Sequence, residues 1–186
     1  MSMIRTTILA TALVAWAGAA SAAQQCGATT HTVYGETRAW FQNTLGACRP
    51  DGYCSAVLAL PDATGDAAFT QQLRIARPTP GAPYDVVLTA VIPSPTDDAL
   101  PMSVAFGRHR LDLTDTVERR GNVANEWHVT GTDNVESMVR GAMRANTLRW
   151  TYQSQGGPTS AWFALGGVTR ALAWIDCMAA TASAPT

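Results

Sequence analysis

Few residues in this chain could do chemistry: three histidines, four cysteines and carboxylates in ones and twos. His109 sits between Arg108 and Arg110 and has Asp112 nearby; His128 follows Trp127 and has Glu126 two positions before it. A histidine oriented by a carboxylate is the general-base half of a hydrolytic site. The other half needs an activated nucleophile or a metal, and the chain contains no G-x-S-x-G, no H-E-x-x-H and no phosphate-cradling glycine loop. A solvated strand face accounts for His109, and an exposed or hydrogen-bonded ring for His128. Asp97 and Asp98 are paired in a proline-rich loop, but no further acidic ligands follow at calcium spacing. Neither a metal nor a cofactor is expected.

The cysteines, Cys26, Cys48, Cys54 and Cys177, admit three chemistries. Zinc would suit Cys26 with nearby His31, yet neither cysteine spacing is that of a zinc knuckle. Cys48 and Cys54 are too far apart for a C-x-x-C redox pair. An even count in an exported chain makes crosslinks the default. Arg49-Pro50-Asp51-Gly52-Tyr53 is a turn sequence: proline presets φ, Asp51 can bond its own backbone, and Gly52 takes positive φ at no steric cost. Of the three connectivities, this turn favours Cys48 with Cys54, which leaves Cys26 for Cys177. In the chain-entropy account the short loop is worth about 2 kcal/mol and the long one about 5.

Export is read from residues 1–22. Arg5, an apolar stretch from Ile8 to Ala20 and the small residues Ala20-Ser21-Ala22 make a secretory signal peptide, cut after Ala22. The stretch is shorter than the ~20 residues of a membrane span and is interrupted by Thr11 and Gly18, so the mature chain is expected to have no transmembrane segment. Ala23-Gln24-Gln25 before Cys26 is not a lipobox. The remainder, 23–186, has the size of one compact domain, periplasmic or secreted. Its basic residues are all arginine, 13 against 14 acidic ones over the whole chain. That balance argues against nucleic acid or an anionic membrane as partner, since both select a concentrated basic footprint.

The elements that must position these groups read as mainly β. Thr32 to Phe41 reads as one strand with Trp40 and Phe41 in the core, and Ser55 to Leu60 leaves the stapled turn as another. Leu73 and Ile75 alternate with polar neighbours until Arg77-Pro78 ends the strand. Tyr84 to Ile92 is a central strand buried on both faces, closed by Pro93-Ser94-Pro95. Met102 to Phe106 and Arg108 to Leu113 flank Gly107, with a further strand at Thr116 to Arg119, a turn at Gly121-Asn122 and an alternating strand from Glu126 to Thr130. Asp133 with Glu136 predicts a helix start; Val135, Met138, Val139, Ala142 and Met143 share its inner face, and Glu136 pairs with Arg140. Leu148, Trp150 and Tyr152 alternate into a turn at Gly156-Gly157-Pro158, and Trp162-Phe163 return. Val168, Ala171, Leu172 and Ile175 stripe a last helix that carries Cys177. The predicted fold is an antiparallel β sheet or sandwich with two short helices near the C-terminus; α+β is the second choice.

Three groups of residues resemble the invasion-associated locus B family of exported proteobacterial proteins and a related periplasmic family of unknown function. They are Trp40 followed by Ala47 to Cys54; Leu73-Arg74-Ile75-Ala76-Arg77 running into Pro80-Gly81-Ala82-Pro83; and Trp162-Phe163-Ala164-Leu165-Gly166-Gly167-Val168 leading to Trp174-Ile175-Asp176. The Trp40 to Cys48 interval is longer than in that family, and the Cys26 to Cys177 bridge lies outside what it implies. The resemblance implies a mainly β protein of the periplasm or cell surface, linked in name to host-cell invasion, with no catalytic residue to transfer. The expected function is therefore a non-enzymatic binding protein with an unidentified protein or envelope partner. Its candidate binding residues are Trp127, Trp150 and Trp162 on the aromatic-rich strands, and Arg49 and Tyr53 at the tip of the stapled turn. The alternatives are a small periplasmic hydrolase using His109 or His128, and an inhibitor of a periplasmic or host enzyme that presents Arg49 and Tyr53.

Overall fold

The computed structural model describes residues 23–65, 67–91, 101–120, 126–154 and 156–182. The expected leader, the 93–98 loop with Asp97 and Asp98, and the Gly121-Asn122 turn lie outside them. The described strands form two antiparallel sheets. The larger runs β1 (Ala23–Gln25), β2 (Ala28–Val33), β3 (Glu36–Phe41), β4 (Thr44–Cys48), β5 (Cys54–Leu60), β6 (Gln71–Arg77) and β7 (Asp85–Ala90), each beside the next. It then continues with β11 (Glu126–Val129) and β10 (Val117–Glu118). The smaller has the order β13 (Gly157–Ala164), β12 (Thr147–Ser154), β8 (Ser103–Phe106), β9 (His109–Asp112). Two helices complete it, α1 (Thr132–Arg144) and α2 (Val168–Ala182).

Strand parity builds the core. Leu58, Leu73, Leu88 and Trp127 lie in one cross-strand row, and Ala56, Ile75 and Val86 in the next; all of these are buried. The four-stranded sheet turns Leu148, Trp150 and Tyr152 toward them. Trp127 meets Trp150 edge-on at 5.6 Å, and Trp150 stacks on Tyr152 at 4.1 Å. Such aromatic pairs add about 1 kcal/mol each beyond their burial. At the other end, α2 covers β3 to β5, with Phe41 and Trp174 rings 6.0 Å apart. β7 is buried on both faces, as its β-branched run predicts: Val86, Val87, Leu88 and Ala90 are all inaccessible.

Both expected crosslinks are present. Cys48 joins Cys54 across the β4–β5 hairpin, whose tip is held by Asp51 accepting from the Tyr53 amide at 3.0 Å. Cys26 joins Cys177, 151 residues away.

Several expectations are corrected. The strand expected from Thr32 to Phe41 breaks at Tyr34-Gly35, both at positive φ, as a two-residue hairpin between right-twisted strands requires. Phe41 is core, but Trp40 points to solvent because its partner Leu45 lies on the opposite face from the Ala39–Gly46 pair. α1 begins at Thr132, so Asp133 lies inside its first turn rather than at the cap; Gly131 is the cap residue and no side chain bonds there. Met143 is largely exposed, whereas the Glu136–Arg140 pair forms at 3.0 Å. Alternation fails in β11, where Trp127, His128 and Val129 are all buried. Gly157 and Pro158 belong to β13, an edge strand that tolerates proline's missing N–H.

Candidate functional site

Among the described residues, two indoles are left in solvent: Trp40 is 67% exposed and Trp162 59%. Each could remove ~150–250 Å² from water, worth several kcal/mol at ~25 cal/mol per Å². Parity prevents it within the fold. Trp162 sits opposite Arg149, between the inward-facing Ala161 and Phe163, and the Arg149 guanidinium lies 5.4 Å from its ring centre. Trp40 stands on the wall shared by two clefts. One, about 400 Å³, also takes in Leu58, Leu60, Phe163 and Ala164, so it reaches the strand that carries Trp162. The other, about 570 Å³, takes in Cys26, Thr29, Arg170 and Trp174. An exposed indole beside a recess of mixed polarity is the kind of residue that anchors protein interfaces.

The hairpin that carries Trp40 is tied to the turn before α2, and α2 is tied to β1. The Gly166 carbonyl accepts from the Asn43 amide at 3.2 Å and from Thr44 Oγ1 at 3.0 Å, docking the turn before α2 on the β3–β4 hairpin. Trp174 Nε1 donates to the Gln25 carbonyl at 3.1 Å, one residue before the Cys26 bridge. Arg77 donates to Asp176 and, at 2.5 Å, to the Ala82 carbonyl, while the Tyr84 hydroxyl donates to Asp176 at 2.8 Å. The guanidinium also covers the Tyr84 ring at 4.0 Å. Two of the stretches behind the family resemblance, Arg77 to Pro83 and Trp174 to Asp176, thus meet in one polar contact.

Burial, and then the Asp176 carboxylate that accepts its proton, push the Tyr84 hydroxyl up to about 12. An unfolded tyrosine titrates near ~10. Below that value both states keep the proton; between it and about 12 only the unfolded chain sheds it, so this contribution to stability is lost as pH rises. Tyr84→Phe should therefore be less stable than wild type by about 2 kcal/mol near neutrality, the worth of hydrogen bonds to a charged group. The gap should narrow above about pH 10 in urea unfolding measured across the alkaline range. A gap that does not change with pH would remove the linkage.

The structure distributes the other sequence candidates widely. Trp127 and Trp150 are core residues, 3% and 0% exposed, because each faces the opposite sheet; neither can meet a partner. Of the three proposed indoles only Trp162 is on the surface, and Trp40, assigned to the core from its neighbours, joins it. Arg49 and Tyr53 are at the stapled tip, but Arg49 stacks on Tyr53 at 4.3 Å and pairs with Asp51 at 3.3 Å, so the two are engaged with their own hairpin. Burial raises the Tyr53 hydroxyl, as it does that of Tyr152.

His128 has Nδ1 3.2 Å from Asp85 and Nε2 3.3 Å from Glu126, which in turn accepts from Arg74 at 2.5 Å. A carboxylate faces each ring nitrogen, whereas a general base presents a free lone pair. His109 lines a cavity with Ser137, but among the described residues no hydrogen bond joins them, and the Ser137 hydroxyl accepts from Arg140 at 3.4 Å. Asp112 is bonded to Thr114, which holds its carboxyl below the usual range. No cluster of metal-ligating side chains occurs among the described residues.

No family model and no curated protein matches the chain at the level of sequence. By structure it is similar to the crystal structure of invasion-associated protein B from Bartonella henselae, with a TM-score of 0.54 over 74% of this chain and 94% of that one, at 11% identity. The chain therefore has an invasion-associated-protein-B-like fold, mainly antiparallel β with two helices. Among the described residues, no helix is long and apolar enough to cross a membrane. The two disulfides fit an oxidising compartment, periplasmic or extracellular.

Proposed function

We propose that this is an exported, non-enzymatic binding protein of the cell envelope or surface, and that Trp40 and Trp162 anchor a protein partner. One observation carries the proposal: two solvent-exposed indoles, Trp40 on the wall of a cleft that also reaches the strand carrying Trp162, on a scaffold braced by a long-range disulfide. The protein of similar fold is described as invasion-associated, which makes a host-surface protein a partner worth testing first. Non-enzymatic action is favoured by the engaged carboxylates around His128; among the described residues no hydrogen bond or ion pair joins His109 to an acid.

The test is quantitative capture. The oxidised protein is immobilised and exposed to periplasmic and host-surface extracts, beside Trp40→Ala and Trp162→Ala. Interface anchors cost about 2 kcal/mol or more when truncated, so each variant should retain roughly a thirtieth of the wild-type affinity for any captured protein. Both side chains are exposed, so melting temperatures should stay within a degree or two of wild type. Undiminished capture by both variants would overturn the assignment of the ridge.

A further inference from the structure

We propose that a second cleft, between α1 and the β8–β9 hairpin, binds a small organic anion that carries a phosphate or carboxylate next to a ring or short apolar group. Neither Trp40 nor Trp162 lines this site. Its cavity is about 730 Å³, within the size range of small-ligand sites. Ser137, Arg140, Gly141 and Arg144 line it from α1, and their spacing of three and four residues puts them on one helix face. The hairpin contributes Phe106 and His109, which are paired across its tip. Gly141 permits the close approach of the two walls, since a β-carbon there would stand 2.6 Å from the Phe106 ring.

The lining contains no aspartate or glutamate, but it holds two arginines and a histidine. Arg108 and Arg110, on either side of His109, are also exposed. Two features oppose an anion. Glu136 pairs with Arg140 at 3.0 Å, and the carbonyl end of α1 carries partial negative charge. Arg144 answers the second: it sits in the last turn and, among the described residues, makes no ion pair, so its guanidinium fork is open to a bidentate oxyanion. The half-buried Gly141 and Ala145, with the small exposed edge of the otherwise buried Phe106 ring, give the ligand's ring or alkyl portion a surface to cover. Charge and apolar surface together select an amphiphilic anion over either part alone.

Titration calorimetry of the oxidised protein at low salt tests this with three probes: phenyl phosphate, inorganic phosphate and benzyl alcohol. Phenyl phosphate should bind, inorganic phosphate should bind at least about fivefold more weakly, and benzyl alcohol should give no heat of binding. Substituting benzoate for phenyl phosphate tells whether the preferred headgroup is carboxylate or phosphate. Arg144→Ala should weaken the best probe about tenfold, equivalent to ~1.4 kcal/mol, with its melting temperature unchanged. Glu136→Gln, which releases Arg140, should tighten binding about two- to fivefold. Unaltered binding in Arg144→Ala, no gain in Glu136→Gln, or equal binding of benzyl alcohol would each overturn the proposal.

Discussion

Replacing the Cys26–Cys177 pair by serine should cost about 5 kcal/mol of stability, against about 2 for the Cys48–Cys54 pair. The difference comes from the chain each bridge closes: sequence separations of 151 and 6 residues. Closing the long loop removes far more freedom from the unfolded chain, and cost grows with the logarithm of loop length. Native contacts add to the effect, because the long bridge fastens the helix whose Trp174 bonds Gln25 and packs on Phe41. The short bridge closes a turn already held by two backbone hydrogen bonds, Arg49 N–H to Tyr53 O at 2.8 Å and Gly52 N–H to Arg49 O at 3.1 Å. Urea unfolding of the two double-serine variants gives the comparison without leaving an odd thiol to mispair. Equal losses, or a larger loss for the short bridge, would overturn it.

Among the described glycines, Gly167→Ala should be the most damaging substitution. Gly167 has φ +87°, and an ideal β-carbon there would lie 1.8 Å from the Phe41 carbonyl oxygen and 2.5 Å from its carbon. Backbone in that region costs a non-glycine residue about 1–2 kcal/mol. The overlap with another backbone cannot be relieved by a side-chain rotation, so the α2 turn and the β3–β4 hairpin must separate. That breaks the Gly166 contacts to Asn43 and Thr44 together. A total above about 4 kcal/mol is expected, in the range of the most severe point mutations. Gly35→Ala is the control: its φ is similar, +81°, but nothing lies within 4 Å of the added carbon, so it should lose about 1–2 kcal/mol only. A Gly167→Ala protein that unfolds alongside Gly35→Ala would show that the two segments are not in the contact described.

Much of the scaffold was legible because its signals are local. The Cys48–Cys54 turn, the β8–β9 strands around Gly107, the buried β7 and the stripe on α2 each follow from a short stretch of sequence. Even the remote bridge was legible, by elimination once the short one was paired. What was not legible depends on which face of a strand meets which layer. Trp40 and Phe41 are adjacent and similarly apolar, but only the register with Leu45 and Thr44 assigns one to solvent and the other to the core. Trp127 and Trp150 lie on aromatic-rich strands that offer binding residues in sequence, and the packing of the two sheets buries them. For His128 the sequence leaves an exposed or a hydrogen-bonded ring open; the ring is buried, with Asp85 from β7 and Glu126 from its own strand at its two nitrogens. The cationic cleft has no signal in the sequence for a related reason. The nearly balanced charge of the chain is an average, and the α1 and β8–β9 arginines are brought together only by folding.

The placement of the Cys26–Cys177 bridge also determines how this protein meets a mechanical load. Only β1 precedes Cys26 among the described residues, and only the last five residues of α2 follow Cys177. Tension applied from the two sides of the bridge passes through one sulfur–sulfur bond and leaves the strands between untouched. Under reducing conditions the same tension would reach β2 and α2 directly, so resistance to pulling, measured with and without reductant in a single-molecule stretch, should differ far more than stability at rest.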